Sequence, residues 1–276
     1  MKNRVLVTTV SLLLSSTLSF AQEGRTVGKN HAGGPYQRGV KNPSYNRCDA
    51  LAPTIMAGGS AFEDYIPIFG DAYYGAFLKA GHSYEVEVWN PFGEDDSYLN
   101  FRPQLSLLNG NCDPKDYIDV ATIDPALNLG FSDRISWTQN SDGYRFVHLQ
   151  NFDPNNAYLY YMRIVDTTLF NPRWSTINGF GTSWGLNNIT NADISGTFTV
   201  YDTSGSVLKT QSVIVPAGRT KFYSSSADLS LPNNASGSAM FAFIGPSGAI
   251  QADAYMVNSG GTVVVPTKFE PRNSQW

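Results

Sequence analysis

The 276-residue chain is poor in histidine, cysteine and charge, with three histidines, two cysteines and only 15% Asp, Glu, Lys and Arg. Beyond residue 21 Lys and Arg nowhere form a basic run, and the net charge is −4. A nucleic-acid surface works by setting clustered cations against phosphates and releasing counterions, so this composition excludes nucleic acid as a partner and argues against polyanions in general. His31, His82 and His148 are scattered, and none has a partner at a metal-ligand spacing such as His-x-x-x-His, which argues against zinc chemistry. There is no Cys-x-x-Cys, which argues against a redox role. After residue 21 no stretch approaches the roughly 20 apolar residues that a membrane-spanning helix needs.

The start of the chain has the features of an export signal. Lys2 and Arg4 make a positive n-region, residues 5–18 form an apolar stretch centred on Leu12-Leu13-Leu14, and Ser19-Phe20-Ala21 places small residues where a signal peptidase needs them. Cleavage after Ala21 leaves a mature chain of about 255 residues in the periplasm or outside the cell. The competing reading, an uncleaved anchor, meets an apolar run too short to span a bilayer. No cysteine sits at the cleavage point, so no lipoprotein anchor is indicated. In an oxidising compartment Cys48 and Cys112 are expected to pair as one disulfide. Closing that loop stabilises by roughly 4 kcal/mol through the unfolded chain if its geometry is unstrained.

Tyr, Phe, Thr, Ser, Gly and Asn are plentiful, a composition that favours strands and turns over helices. Residues 22–46 are rich in Gly, Asn, Lys and Arg without apolar periodicity, and are expected to be a flexible linking arm or a partner-binding tail. Residues 47–167 read as one β-domain. Tyr84-Glu85-Val86-Glu87-Val88-Trp89 alternates apolar and charged residues, the period-2 mark of a half-buried strand. Further strands are expected at 105–108, 135–137, 144–149 and 158–165, separated by turns such as Asn140-Ser141-Asp142-Gly143. Only the segment from Ala61 to Asp64 suits a helical turn. Residues 172–270 read as a second strand-rich unit followed by a tail, 271–276. Its hairpin signals are Asp202-Thr203-Ser204-Gly205 and Gly245-Pro246-Ser247-Gly248, with a further turn at Pro216-Ala217-Gly218. Strands at this spacing argue for sandwiches. The fold class expected is all-β, two antiparallel β-sandwiches of jelly-roll or immunoglobulin-like type in tandem.

Specific residues carry a resemblance. Asp71-Ala72-Tyr73-Tyr74, Phe77, Ala80-Gly81-His82-Ser83-Tyr84 and the alternating strand after it resemble the opening of bacterial pre-peptidase C-terminal domains. Gly143-Tyr144-Arg145-Phe146-Val147 resembles their penultimate strand and the segment after Tyr158 their last one. The resemblance spans residues 55–166, and the stretch from Gly93 to Phe131 departs from it in length. It implies a jelly-roll-like sandwich serving as an accessory module on secreted proteins, with no catalytic residue. The second unit is similar to β-sandwich modules of secreted bacterial proteins in its Tyr-Asp-x-x-Gly hairpin and Pro-Ala-Gly turn.

Candidate chemistry is sparse. Gly181-Thr182-Ser183-Trp184-Gly185 fits the G-x-S-x-G nucleophile elbow, but that elbow needs a following helix and a later histidine. Here Leu186-Asn187-Asn188-Ile189-Thr190-Asn191 is a poor helix and the last histidine is His148, so a Gly-rich loop is expected instead. Glu94, Asp95 and Asp96, together with Asp113, Asp116 and Asp119, are loop carboxylates that suit Ca²⁺ if the fold converges them, or simply solvated turns. Some pre-peptidase C-terminal domains bind calcium, though this chain has no self-contained D-x-D-x-D-G loop. No other cofactor is expected. Trp89, Trp137, Trp174 and Trp184 are the remaining candidates: rings that stack a ligand if exposed, or core caps if not. The functional expectation is a non-catalytic secreted binding or accessory protein with a carbohydrate or protein partner. The rivals are a self-assembling structural protein and a secreted hydrolase.

Overall fold

The computed structural model describes residues 57, 61–89, 104–110, 117–120, 132–151 and 157–271. Eight strands form the first half: β1 (Phe62–Ile66), β2 (Asp71–Leu78), β3 (Ser83–Trp89), β4 (Gln104–Leu108), β5 (Tyr117–Val120), β6 (Ser132–Thr138), β7 (Gly143–Gln150) and β8 (Tyr158–Asp166). They make two antiparallel sheets, sheet 1 in the order β1-β8-β3-β6 and sheet 2 in the order β2-β7-β4-β5. Between the sheets lies a core that includes Val86, Val88, Ile135, Leu105, Leu107, Leu149 and Ile164. In each strand these core residues are spaced by two, which aims them all to one side of the pleat.

The second half continues with β9 (Leu169–Ser175), β10 (Phe180–Asn188), β11 (Ile194–Asp202), β12 (Val207–Val215), β13 (Thr220–Ser224), β14 (Ser236–Ile244), β15 (Ile250–Asn258), β16 (Val264–Lys268) and β17 (Glu270–Pro271). Sheet 3 runs β12-β11-β14-β9-β17 and sheet 4 runs β13-β10-β15-β16. Their shared core contains Trp174, Trp184, Phe198, Phe241 and Phe243. The protein is an all-β sandwich chain, as its turn spacing and alternation predict.

Two local expectations are corrected. The segment from Ala61 to Asp64 is not a helical turn: residues 62–66 are β1, paired with β8 through Glu63↔Tyr161 and Asp64↔Tyr160, so a partner strand overrides weak local propensity. Gly181-Thr182-Ser183-Trp184-Gly185 is not a loop but part of β10, hydrogen-bonded between β13 and β15. Trp184 and Leu186 face the core there, and the small residues face out. The segment Phe170-Asn171-Pro172-Arg173 lies inside β9. Gly237 pairs with Trp174 and Ala239 with Asn171, which leaves Pro172 and Arg173 opposite Ser238 alone. That bulge is where a residue without an N–H fits into a ladder.

Only Thr167 and Thr168 separate β8 from β9, and both are buried. The Thr167 amide donates to the Ser83 carbonyl at 2.9 Å, and the Ser83 amide donates to Thr168 Oγ1 at 2.9 Å. Asp166 Oδ1 accepts from the Thr168 amide at 3.0 Å, while its Oδ2 lies 2.7 Å from His82 Nδ1. The crossing is therefore short and bonded at every polar group named. Beyond it, β14 of sheet 3 packs on β3 and β6 of sheet 1. Met240 and Ala242 lie on the opposite face of β14 from the core residues Phe241 and Phe243, yet both are buried.

Candidate ligand-contact surface

The outward residues of β3 are Glu85, Glu87 and Trp89, and each has a different fate. The alternation predicts a solvent face for them, but Glu85 and Glu87 are buried, with 1% and 4% exposure. Two causes account for this. The packing of β14 covers part of the face, and arginines on the strands to either side neutralise the carboxylates. Arg163 on β8 donates from Nε to Glu87 Oε2 at 2.9 Å, and Arg134 on β6 donates from Nη2 to Glu87 Oε1 at 3.1 Å. Glu87 is thus clamped between two cations in register, Glu87↔Arg163 and Glu87↔Arg134.

Glu85 is less well served. Arg134 Nε stands 3.7 Å from its Oε2, Ser136 Oγ donates at 3.5 Å, and the Ser247 amide, in the turn between β14 and β15, donates at 3.1 Å. Burial pushes the Glu85 carboxyl above the usual carboxylate range, and the Glu87 charge adds to this against the lowering pull of Arg134, the Ser247 amide and Arg163.

Trp89, at the end of β3, is only partly buried. Its ring stacks on Tyr161 of β8 with centroids 5.7 Å apart and planes 23° apart. The Arg163 guanidinium carbon lies 5.7 Å from the Trp89 ring centroid, within cation–π range. Tyr161 Oη donates to Glu63 Oε2 on β1 at 2.8 Å. The register Glu63↔Tyr161 and Trp89↔Tyr161 lays carboxylate, phenol and indole in one row across three strands. Such a row offers apolar ring surface beside charged hydrogen-bonding groups.

The other candidate tryptophans are not ligand platforms. Trp137, Trp174 and Trp184 are buried, at 6%, 0% and 0% exposure. Trp174 Nε1 donates to the Tyr201 carbonyl at 2.9 Å, and Trp184 packs edge-on to Phe198. Their bulk fills the inter-sheet space, where each apolar ring is worth most. Cys48 and Cys112 lie outside the described residues, as do Glu94, Asp95, Asp96, Asp113 and Asp116. Asp119 falls on β5 opposite Leu107. Among the described residues no group of three or more His, Cys, Asp or Glu comes together as a metal site.

The two described histidines are held apart. His82 bonds Asp166 at the crossing between the sandwiches. His148 Nε2 lies 2.8 Å from Asp71 Oδ1, with its ring stacked on Tyr73 at 4.3 Å. Inside the first core Tyr74 Oη donates to Asp64 Oδ2 at 2.5 Å and contacts Tyr160 Oη. Burial, then the neighbouring Tyr160 and Asp64 charges, drive the Tyr74 hydroxyl far above its ordinary range, so it stays a proton donor.

Sequence reasoning singled out Trp89 but missed Tyr161, Arg163, Arg134 and Glu63. The usable signal was the adjacent pair Tyr160-Tyr161. In a strand, neighbouring side chains point to opposite faces, so one of two consecutive rings must leave the core.

No family model matches the chain, and no curated protein matches it. Among solved structures, it is similar to the pre-peptidase C-terminal domain of a collagenase from Bacillus anthracis, with 12% identity and a TM-score of 0.33 over 43% of this chain and 99% of that one. It is also similar to the extracellular region of zebrafish Gpr126/Adgrg6, with 8% identity and a TM-score of 0.25 over 80% of this chain and 31% of that one. A glycosyl hydrolase family 2 member from Bacteroides cellulosilyticus gives 7% identity and a TM-score of 0.21 over 72% of this chain and 28% of that one. The chain spans less than a third of the length of the last two. By its own four antiparallel sheets the chain is an all-β sandwich protein, and it is similar, over part of its length, to a pre-peptidase C-terminal domain.

Proposed function

We propose that this chain is an exported, non-catalytic binding protein whose ligand is a carbohydrate, contacted first at Trp89 and Tyr161. The observation that carries the reading is the stacked, partly exposed ring pair with Arg163 and Glu63 at its border. A sugar has apolar C–H faces and a rim of hydroxyls. A ring face flanked by a guanidinium and a carboxylate matches both, and the flanking groups are already held by Glu87 and Tyr161, so little order is lost on binding. Export is supported by Lys2, Arg4, the apolar stretch that follows and the small residues before Gln22. Among the described residues no helix is long and apolar enough to cross a membrane.

A second reading, self-assembly, is favoured by one feature. β12 is a nine-residue edge strand without proline, and Val207 and Ile214 on it are 58% and 57% exposed. Lys221 Nζ donates to the Ile214 carbonyl at 3.4 Å, which blunts that edge.

The test is retention of the mature chain, from Gln22, on a panel of insoluble polysaccharides with and without calcium. Saturable retention that Trp89→Ala abolishes is the expected result. Retention unchanged in Trp89→Ala overturns the site, and concentration-dependent sedimentation without retention favours assembly.

A further inference from the structure

The G-x-S-x-G run of β10 is unused by the surface described above, and the fold gives it a different setting. Its outward residues are Gly181, Ser183, Gly185 and Asn187, three of them small. On one side the neighbour is Phe222 of β13, opposite Gly185. On the other it is Tyr255 of β15, opposite Ser183. Phe222 is 71% exposed and Tyr255 is 44% exposed, both high values for aromatic residues within a sheet. A Cβ on residue 185 would lie 3.1 Å from Phe222 Cε1 and 3.5 Å from Cδ1. The phenyl ring therefore leans over the glycine and leaves its far side to solvent.

The result is a shallow furrow along β10, floored at Gly185 by the Phe222 ring and bordered beside Ser183 by Tyr255. The flanking strands are two spacings apart, about 10 Å. Polar groups run along it: Ser183 in the floor, Asp253 opposite Gly185, Gln251 opposite Asn187, and Thr220, whose hydroxyl donates to Asn187 Oδ1 at 3.1 Å.

From this we infer that the outer face of sheet 4 is a second carbohydrate-binding site, one that takes a single polysaccharide chain along β10. Three features select that occupant. Two isolated rings separated by hydroxyls, amides and a carboxylate match a chain whose apolar faces alternate with hydroxyl rims. An extended peptide gains its affinity by adding to a sheet edge, and both edges of β10 are already taken by β13 and β15. Among the described residues on the furrow's β15 side, Asp253 and Lys268 are opposite in sign and in register, so their charges offset and offer a charged polymer little attraction there. The ligand class rests on the carbohydrate reading above, but the residues, the sheet and the sandwich are different ones.

The experiment is pull-down of the mature chain on microcrystalline cellulose, chitin and insoluble xylan, comparing wild type with Phe222→Ala, Tyr255→Ala, Ser183→Arg and Trp89→Ala. All four positions reach solvent, and thermal unfolding of each variant is recorded to show that the fold is kept. Ser183→Arg fills the furrow without removing a ring. The expected result is a tenfold or greater loss of retention in Phe222→Ala, Tyr255→Ala and Ser183→Arg, with Phe222→Tyr retaining binding. If Trp89→Ala abolishes retention while the three furrow variants bind like wild type, the furrow is overturned and the first site stands. If the furrow variants lose retention and Trp89→Ala does not, the reverse holds. Absence of wild-type retention on every probe, or a dimer in sedimentation that Phe222→Ala dissociates, overturns the inference.

Discussion

The backbone amide of Ser247 donates to Glu85 Oε2 across 3.1 Å, joining a turn of the second sandwich to the middle of a strand in the first. The carboxylate that accepts this bond is almost wholly buried and is surrounded by Arg134, Ser136, Glu87 and Arg163. Because burial makes its charge costly there, Glu85 makes the stability of the fold depend on pH.

The sign follows from the raised carboxyl. In the unfolded chain a glutamate titrates at about 4.3, whereas folded Glu85 holds its proton to higher pH. Between those two values the folded state binds more protons than the unfolded one, so stability falls as pH rises. Below that window Glu85 is neutral and its contribution is fully present. Above it the burial cost of the charge is fully felt. Glu85→Gln keeps an acceptor for the Ser247 amide and has no proton to lose. Thermal unfolding followed from pH 4 to pH 8 is therefore expected to slope downward less in Glu85→Gln than in wild type. Parallel curves would sink the assignment.

Glu87 poses the opposite case, a buried carboxylate with two cations. Replacing it with alanine takes the carboxylate from Arg163, whose side chain is 29% exposed, and leaves Arg134, at 16%, with the longer 3.7 Å contact to Glu85. Breaking a fully buried pair costs roughly 3–5 kcal/mol, and partial access to water lowers this to about 2 kcal/mol here. Urea denaturation measures it. The same substitution frees the guanidinium that lies over Trp89, a contact worth about 0.5–1 kcal/mol at a partly exposed site. Carbohydrate retention is expected to weaken severalfold in Glu87→Ala, and unchanged retention would separate Arg163 from the ring site.

How far these features were legible in the sequence differs by scale. Alternation and turn residues announce β3, β7, β8, β11, β12, β14 and β15, because period-2 patterning is a local property of each strand. The burial of Glu85 and Glu87 is not local. It depends on β14, more than 150 residues later, and on arginines that become neighbours only once β6 and β8 pair with β3. The four candidate tryptophans look alike in sequence, yet three fill cores and one reaches the surface, since position in a sheet decides exposure. The G-x-S-x-G run shows the reverse error. Its alternation of small residues with Trp184 and Leu186 is a strand signature, and the motif's association with a loop obscured it. Phe222-Tyr223, like Tyr160-Tyr161, is a pair of consecutive rings of which one must face out.

Glycine positions give a stability prediction that contacts alone distinguish. A Cβ on Gly237 would fall 2.0 Å from the Tyr201 carbonyl oxygen and 2.8 Å from both Cα and carbonyl carbon of Asp202. Those are backbone atoms of β11, and that carbonyl also accepts the Trp174 Nε1 bond. Alanine at 237 must push β11 and β14 apart at the bulge and leave a buried indole N–H poorly paired. Overpacking and the lost bond together give a destabilisation of about 3 kcal/mol. Gly181→Ala is the matched control. Its added methyl meets only Ser225 Oγ, at 3.8 Å, and the position has no left-handed backbone to strain. It is expected to be neutral, or stabilising by up to about 1 kcal/mol through a stiffer unfolded chain. Equal urea midpoints for the two variants would show that β14 yields at its bulge, and that the close approach of the Tyr201 carbonyl does not demand glycine.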